Sequence, residues 1–251
     1  MGKGPRLRFV LFDYGNTLVP YGRREAAIVD RAVAGAVALR VPGLDAAAFE
    51  GRASRVKDDL IRGATATGRE VTGEAYAGAM AGAAGLPSAP PGFRPALEEA
   101  VGEAFVGALR LPADTLPVLD ALRGRRNLGL VSNYFLPAPL RLSLERFGIL
   151  GRLDAAVVSA EVGWVKPRPE PFRAAIRALG ADPRECIFVG DNLVADVGGA
   201  AALGMRTVHV REWLGDVLPV HREECLSGPR PDAAIDRLAD LPAAVEALER
   251  P

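Results

Sequence analysis

The sequence has few cysteines, no excess of either charge and no long apolar run. Cysteine occurs twice in 251 residues, at Cys186 and Cys225, which excludes a disulfide framework and a metal site built from Cys-x-x-Cys pairs. The 31 basic residues balance the 31 acidic ones, so nucleic acid is not an expected partner. The apolar start at 9–12 is too short for a signal peptide or a membrane span. We therefore expect a cytoplasmic, soluble globular protein that binds no membrane.

Lysine is also scarce, because only Lys3, Lys57 and Lys166 are lysines and the other 28 basic residues are arginines. A lysine inside a motif is therefore noticeable in this chain. Lys166 lies in the turn WVKPRPEP, and this position argues against the role of a solvated surface lysine.

Short apolar runs rich in β-branched residues alternate with amphipathic segments along most of the chain. Runs of this kind are typical of parallel strands buried on both faces. They lie at 8–12, 128–131, 155–158, 187–189 and 207–210, with a last short strand at 233–235. Crossover helices are predicted at 137–147, 169–179 and 193–203, and a final helix at 241–249. The pattern predicts an α/β fold with a doubly wound, Rossmann-like parallel sheet.

Residues 20–111 break this alternation, since they contain helical periods and no convincing strand. We predict an all-helical insert there, with Asp45 and Thr72 as helix caps. Its helices are expected at 23–40, 45–62, 72–84 and 95–109. The catalytic core then comprises 1–19 and 112–251, and 211–231 is expected to be a long surface loop.

Polar residues follow several of the predicted strands. Asp13 follows the first strand, Ser132 and Asn133 the second, Asp191 the fourth, and Asp196 lies one helical turn beyond it; Lys166 follows the third by a short loop. Because ligands of open α/β sheets bind outside the carboxyl ends of the strands, we expect these side chains to converge on one site.

These residue types fit phosphoryl transfer. Asp13 is predicted to be a carboxylate nucleophile that forms an aspartyl phosphate. Asp191, and less directly Asp196, would ligate Mg²⁺, which prefers carboxylate oxygens. Ser132 and the amide that follows it would hold phosphoryl oxygens, and Lys166 would neutralise charge.

Four segments, in order, resemble the motifs of the haloacid dehalogenase superfamily. They are FDYGNTL at 12–18, VSN at 131–133, GWVKPRPEPF at 163–172 and VGDNLVADVGGAAALGM at 189–205. The helical insert resembles that family's cap of the first type. The resemblance implies a Mg²⁺-dependent hydrolase acting on a small phosphorylated metabolite. It further implies that Asp13, Asp191 and the Gly15 carbonyl bind the metal, and that Thr17 and Ser132 bind phosphate.

Gly15 departs from the family pattern, because phosphatases of the family carry there an aspartate that protonates the leaving alcohol. The protein could be a phosphatase with slow turnover, or one whose substrate has a leaving group that needs little protonation. Three further interpretations stay open. One is haloacid dehalogenation, against which Asp191 and Asp196 count. Another is phosphonoacetaldehyde hydrolysis through a Schiff base on Lys57, although a solvated lysine beside Asp58 is favoured. The last is a phospholigand-binding protein without turnover.

The remaining candidates carry weaker signals. Solvated roles are favoured for cap arginines that could face an anionic substrate, and packing or surface roles for the histidines. Tyr14 and Trp164 are each expected either to line the site or to pack against it. The residues concerned are Arg23, Arg24, Arg55, Arg62, His209 and His221.

Overall fold

One parallel sheet of six short strands carries the predicted site. The computed structural model describes residues 6–250, so Lys3 and the outermost ends of the predicted core lie outside the described residues. The strands are β1 (Phe9–Phe12), β2 (Asn127–Ser132), β3 (Ala155–Val158), β4 (Cys186–Gly190), β5 (Arg206–Val210) and β6 (Ala233–Ile235). All pairs are parallel, in the order β3-β2-β1-β4-β5-β6. The predicted strands and the α/β class are confirmed.

The strand order reverses next to β1. The chain runs from β1 outwards through β2 to β3, then crosses back so that β4 pairs with the other side of β1. Ligands of such sheets bind at this switch point, outside the carboxyl ends of the strands. The residues that directly follow β1 and β4 are Asp13 and Asp191.

Eleven α-helices lie within residues 6–250. They are α1 (Arg23–Ala38), α2 (Ala46–Thr67), α3 (Gly73–Ala83), α4 (Phe93–Ala108), α5 (Thr115–Arg123), α6 (Pro137–Arg146), α7 (Ser159–Val162), α8 (Pro169–Leu179), α9 (Gly199–Ala201), α10 (Arg222–Leu226) and α11 (Leu241–Leu248).

The four helices expected in the insert are α1 to α4, and both predicted caps are present. Asp45 accepts a hydrogen bond from the backbone of Ala48 at 2.9 Å, and Thr72 accepts one from Ala75 at 3.1 Å. Helix α2 continues to Thr67, five residues beyond the predicted end, because its left-handed terminating residue is Gly68 with φ 74°. Whether 20–111 forms a separate domain stays a prediction.

Three elements differ from the sequence-based expectations. Helix α5 was not expected, since it is only nine residues long and contains Pro117 in its first turn. The predicted helix at 193–203 is instead a π-helical turn, Leu193–Gly198, followed by α9. The segment 211–231 is not simply a surface loop, because it contains α10 and buries Val217 and Cys225.

Buried apolar side chains from the insert and from the sheet form one continuous cluster. Val33, Met80 and Leu97 of the helical part belong to it together with Val10 and Leu130 of the strands. The insert is therefore packed against the edge of the sheet where the strands end. No helix among residues 6–250 combines the length and apolar character that crossing a membrane requires.

Candidate active site

Asp13 lies at the carboxyl end of β1, where its backbone extends the pairing with β4. Its N–H donates to the carbonyl of Val189 at 2.9 Å. The chain then turns sharply: Asn16 adopts φ 56°, a left-handed conformation that asparagine tolerates better than most residues. The N–H of Leu18 donates to the Tyr14 carbonyl at 2.9 Å, which closes the turn. Asp13 is 9% exposed and lines a cavity.

Lys166 joins three parts of the site through its ammonium group. Its Nζ lies 2.7 Å from Asp13 Oδ1 and 2.7 Å from Asp196 Oδ1, and donates to the carbonyl of Val131 at 2.8 Å. The side chain is 2% exposed. Because the ammonium group is buried and has three partners, the side chain is held in one position. Lys166 is therefore not a solvated surface lysine, as its place in the sequence motif indicated.

Asn133 fixes the backbone of Lys166. Its Oδ1 accepts from the Lys166 N–H at 2.8 Å, and its Nδ2 donates to the Lys166 carbonyl at 3.1 Å. This paired amide contact connects the end of β2 to the loop before α8. Asn133, predicted as a substrate-binding residue, lines the cavity and also positions the lysine.

The end of β4 supplies two more carboxylates. Asp191 is 7% exposed and Asp196 is 1% exposed. Asn192 shapes the turn between them, because its Oδ1 accepts from the N–H groups of Val194 and Ala195 at 2.9 and 2.8 Å. Asp196 Oδ2 in turn accepts from the Asn192 N–H at 3.1 Å. These local bonds explain why the segment begins as a wide π-helical turn.

The Asp196 carboxylate passes close to the last residue of β4. A Cβ atom added to Gly190 would collide with it. Glycine at this position therefore allows Asp196 to reach both Lys166 and the backbone of Asn192.

Three carboxylates share this small buried volume with one ammonium group. Asp13, Asp191 and Asp196 each place an oxygen within 4.8 Å of the other two. Burial raises the pKa of Asp13 to about 6; Lys166 opposes this shift and Asp196 adds to it. Burial, and then the charges of Asp13 and Asp196, raise the pKa of Asp191 well above its usual range. Burial works to lower the pKa of Lys166, but Asp13 and Asp196 outweigh it and raise that pKa.

This donor set fits a hard divalent cation. With all three carboxylates ionised, the cluster carries two negative charges more than Lys166 compensates, and buried excess charge is unfavourable unless it is paired. Carboxylate oxygens are the ligands that Mg²⁺ prefers. All three aspartates line the cavity, and both oxygens of Asp196 already contact protein groups, Lys166 and the backbone of Asn192. Direct ligation by Asp13 and Asp191, and an indirect role for Asp196, remain predictions.

The predicted phosphate-binding hydroxyls have different surroundings. Ser132 ends β2 and lines the cavity beside Asp13. Thr17 is 1% exposed and does not line the cavity, and its Oγ1 has no hydrogen-bond partner among the described residues. A buried hydroxyl left without a partner is unusual in proteins. Its predicted contact with phosphate is untested.

Gly15 also borders the cavity, and it has room for a side chain. An added Cβ would meet only the Cβ of Tyr21, at 3.6 Å, which is an ordinary contact distance. Its φ does not lie in the left-handed region. The backbone here does not demand glycine, so the absence of an aspartate is a chemical feature of the site rather than a steric necessity.

The cavity extends from these polar groups into the helical insert and has a volume of about 260 Å³. We call it the aromatic cavity because five aromatic rings contribute to its lining, in addition to Tyr14 beside the nucleophile. They are Tyr21, Tyr76, Phe105, Tyr134 and Phe135.

Lys57 lines the aromatic cavity but is not solvated, contrary to the favoured expectation. Its Nζ donates to both carboxylate oxygens of Asp30, at 2.6 and 2.8 Å. The lysine and aspartate side chains are 17% and 10% exposed. The partner is therefore Asp30 on α1 rather than the sequence neighbour Asp58.

The four cap arginines are exposed and lie outside the cavity lining, as the favoured interpretation predicts. Tyr14 lines the cavity, and its hydroxyl shares a hydrogen bond of 2.8 Å with Ser143. Trp164 lies outside the lining and is stacked between the guanidinium groups of Arg69 and Arg168, at 3.7 and 4.6 Å from its ring centre. It packs the insert against the loop that carries Lys166.

Sequence reasoning missed three contributors from the β5 side. His209 lies within β5, not after it, and its Nε2 donates to the Asp191 carbonyl at 2.9 Å. Cys225 Sγ donates to Asp191 Oδ2 at 3.6 Å, and His221 borders the cavity. The prediction of a strand at 207–210 that is buried on both faces could have placed His209 inside, but no local signal links α10 to Asp191.

Comparisons with known proteins identify the family of the chain. The family model of haloacid dehalogenase-like hydrolases matches residues 7–204. Glyceraldehyde 3-phosphate phosphatase of Methanopyrus kandleri is 35% identical over 139 residues, which is 55% of this chain and 57% of that protein. The chain therefore spans little more than half the length of this curated relative.

Solved structures share the fold over almost the whole chain. A haloacid dehalogenase-type phosphatase from Thermococcus onnurineus has a TM-score of 0.64 at 24% identity and covers 95% of this chain and 97% of its own. A 2-haloacid dehalogenase from Pseudomonas syringae pv. Tomato DC3000 has a TM-score of 0.67 at 21% identity, with 97% and 100% covered. These likenesses concern the fold alone. With the family match and the geometry at the ends of β1 and β4, the chain belongs to the haloacid dehalogenase-like hydrolases.

Proposed function

We propose that the protein is a Mg²⁺-dependent phosphatase that hydrolyses small phosphate monoesters through an aspartyl phosphate on Asp13. The observation that carries the proposal is the cluster of three buried carboxylates, Asp13, Asp191 and Asp196, around the single ammonium of Lys166. A halide leaves without help from a metal, so a dehalogenase has no use for the two extra carboxylates. The phosphatase named among the relatives supports the same choice.

In the first step, Asp13 attacks the phosphorus atom and the alkoxide leaves. Oδ1 is held by Lys166, which leaves Oδ2 as the attacking oxygen. Lys166 balances charge at the nucleophile, and Ser132 is placed to donate to a phosphoryl oxygen. A bound Mg²⁺ would supply charge neutralisation at the phosphoryl group. In the second step, water attacks the phosphorus and restores the Asp13 carboxylate.

The departing oxygen lacks an obvious proton donor, because position 15 is a glycine. A positioned acid or base contributes about 10² to 10⁴ in rate. We infer that alkyl esters are slower substrates than aryl esters, whose leaving group is a weaker base. The second step would be slowed as well, so the aspartyl phosphate should accumulate.

The test compares a panel of phosphate monoesters, phosphonates and 2-haloacids with Mg²⁺ and with EDTA. We expect hydrolysis of phosphate esters with Mg²⁺ and its loss with EDTA. Asp191→Asn should weaken Mg²⁺ binding, because the amide lacks the charge that a hard cation prefers. Dehalogenation that persists in EDTA would overturn the proposal.

A further inference from the structure

The aromatic cavity is lined both by the nucleophile Asp13 and by the five rings. The rings form a continuous series. Centroid separations are 5.6 Å for Tyr21 and Phe105, 4.4 Å for Phe105 and Tyr134, 5.7 Å for Tyr134 and Phe135, and 4.8 Å for Phe135 and Tyr76. They come from the loop after β1, from α3, from α4 and from the loop after β2. A phosphate ester whose phosphoryl group lies beside Asp13 would place its organic part among these rings.

Three of these rings carry hydroxyl groups with no protein partner. The Tyr14 hydroxyl is bonded to Ser143, but those of Tyr21, Tyr76 and Tyr134 make no hydrogen bond within residues 6–250. Burial raises the pKa of all three phenols, so they stay protonated. These hydroxyl oxygens are not among the fully buried polar atoms that lack a partner, so they reach the space of the cavity. Here they provide donors and acceptors that a ligand in the cavity can use.

Both lysines that line the cavity are already paired with carboxylates. Lys57 is held on both oxygens of Asp30, and Lys166 is held by Asp13 and Asp196. Among the described residues, no arginine lines the cavity, although the chain contains 28 of them. A carboxylate or a second phosphate on the organic part would therefore be desolvated without a free cation to pair with.

Shape and chemistry thus point to one class of organic group. Aromatic walls favour flat rings through offset or edge contacts. The apolar lining between the rings, which includes Val29, Leu60 and Val101, favours groups with little polar surface. The volume of about 260 Å³ includes the charged end beside Asp13 as well as the space among the rings, so the organic part must be small, such as one ring with a short linker.

We propose that the aromatic cavity binds the organic part of the substrate, and that the substrate is the phosphate monoester of a neutral alcohol bearing a flat, largely apolar ring. This proposal rests on the phosphatase function proposed above. It adds that the five rings select the substrate and that the tyrosine hydroxyls bind polar substituents of its ring.

The first test uses the Mg²⁺-loaded native protein and four alkyl esters, so that the leaving oxygens are alike. They are 2-phenylethyl phosphate, ethyl phosphate, 3-phosphopropionate and phosphocholine. We expect kcat/KM for 2-phenylethyl phosphate to exceed that of each other ester by at least about tenfold, from burial of the ring. Equal values for ethyl phosphate, or a preference for the carboxylate or the cationic ester, would overturn the proposal.

The second test fills the cavity. Ala64 on α2 lines it, whereas Ala66 on the same helix is exposed and lies outside it. Ala64→Phe should raise KM for 2-phenylethyl phosphate. The ratio of its kcat/KM to that of ethyl phosphate should then fall close to one. Ala66→Phe, the matched control, should keep the native ratio. The same ratio in both variants would count against the assignment of the cavity.

A third comparison isolates the hydroxyls. Tyr76→Phe keeps the ring and removes only the oxygen, so it should raise KM for 2-(4-hydroxyphenyl)ethyl phosphate more than KM for 2-phenylethyl phosphate; equal changes for the two esters would count against a role of the hydroxyl. Hydrolysis of none of these esters, nor of acetyl phosphate, would contradict the phosphatase function itself. Hydrolysis of all of them without preference for the ring would contradict the cavity proposal alone.

Discussion

The charged centre at the ends of β1 and β4 and the aromatic cavity beside it differ in how tightly their polar groups are engaged. In the charged centre, Lys166 has three partners, and Asp196 forms an ion pair with Lys166 through Oδ1 and accepts a hydrogen bond from Asn192 through Oδ2. In the cavity, three tyrosine hydroxyls are left without protein partners. The contacts within the charged centre hold its side chains in one arrangement, whereas the aromatic cavity leaves hydroxyl groups available to a ligand. The two proposals therefore assign reaction and selectivity to different residues.

The most severe disruption should come from the nucleophile. Asp13→Asn should lower turnover of every phosphate ester by more than about 10⁴-fold, because an amide is not a nucleophile toward phosphorus. Steady-state assays with aryl and alkyl esters measure this. Asp59→Asn, at an exposed aspartate of α2, is the control and should retain native activity. A loss confined to ring-bearing esters would place Asp13 in selectivity rather than in reaction.

Adding the missing acid should have the opposite effect. Gly15→Asp introduces a carboxyl group where a Cβ meets only Tyr21, at 3.6 Å. Turnover of alkyl phosphates should rise by up to about 10² to 10⁴, and aryl esters should gain less. An unchanged alkyl rate in a folded, Mg²⁺-binding variant, or fast native turnover of alkyl esters, would show that another group already supplies the proton.

Metal binding should stabilise the protein in a pH-dependent way. The pKa of Asp13 is raised by burial to about 6, so without metal its ionisation lowers the free energy of unfolding as pH rises from about 4 to about 6. Saturating Mg²⁺ should raise Tm by about 5 to 10 °C at pH 7.5 and by less at pH 5. Thermal scans with Mg²⁺ and with EDTA at both pH values test this. An equal Mg²⁺ effect in Asp191→Asn would contradict the assigned ligands.

The smallest effect is expected for Lys57. Its ammonium is paired with Asp30 on both oxygens, whereas an imine requires a neutral amine. Borohydride with phosphonoacetaldehyde should therefore leave the protein unlabelled, and mass spectrometry should find the native and Lys57→Arg proteins alike. Labelling of the native protein that Lys57→Arg removes would revive cleavage of the carbon–phosphorus bond.

The sequence was informative where side chains follow strands directly. Asp13, Ser132 and Asp191 could be placed together because parallel strands end at one edge, and Lys166 was conspicuous as one of three lysines. The aromatic cavity was not predicted, because its rings are brought together by packing between segments far apart in the chain. The pairing of Lys57 with Asp30 escaped notice for the same reason.

The account's central claim is that the phosphoryl group passes through Asp13. The direct measurement is mass spectrometry of peptides after acid quenching of the native protein during turnover of an aryl phosphate with Mg²⁺. We predict one phosphoryl group on the peptide that contains Asp13, accumulating because Gly15 provides no base for the second step, and absent with EDTA or in Asp13→Asn. Rapid release of phosphate with that peptide unmodified at every quench time, or modification at another residue, would contradict the claim.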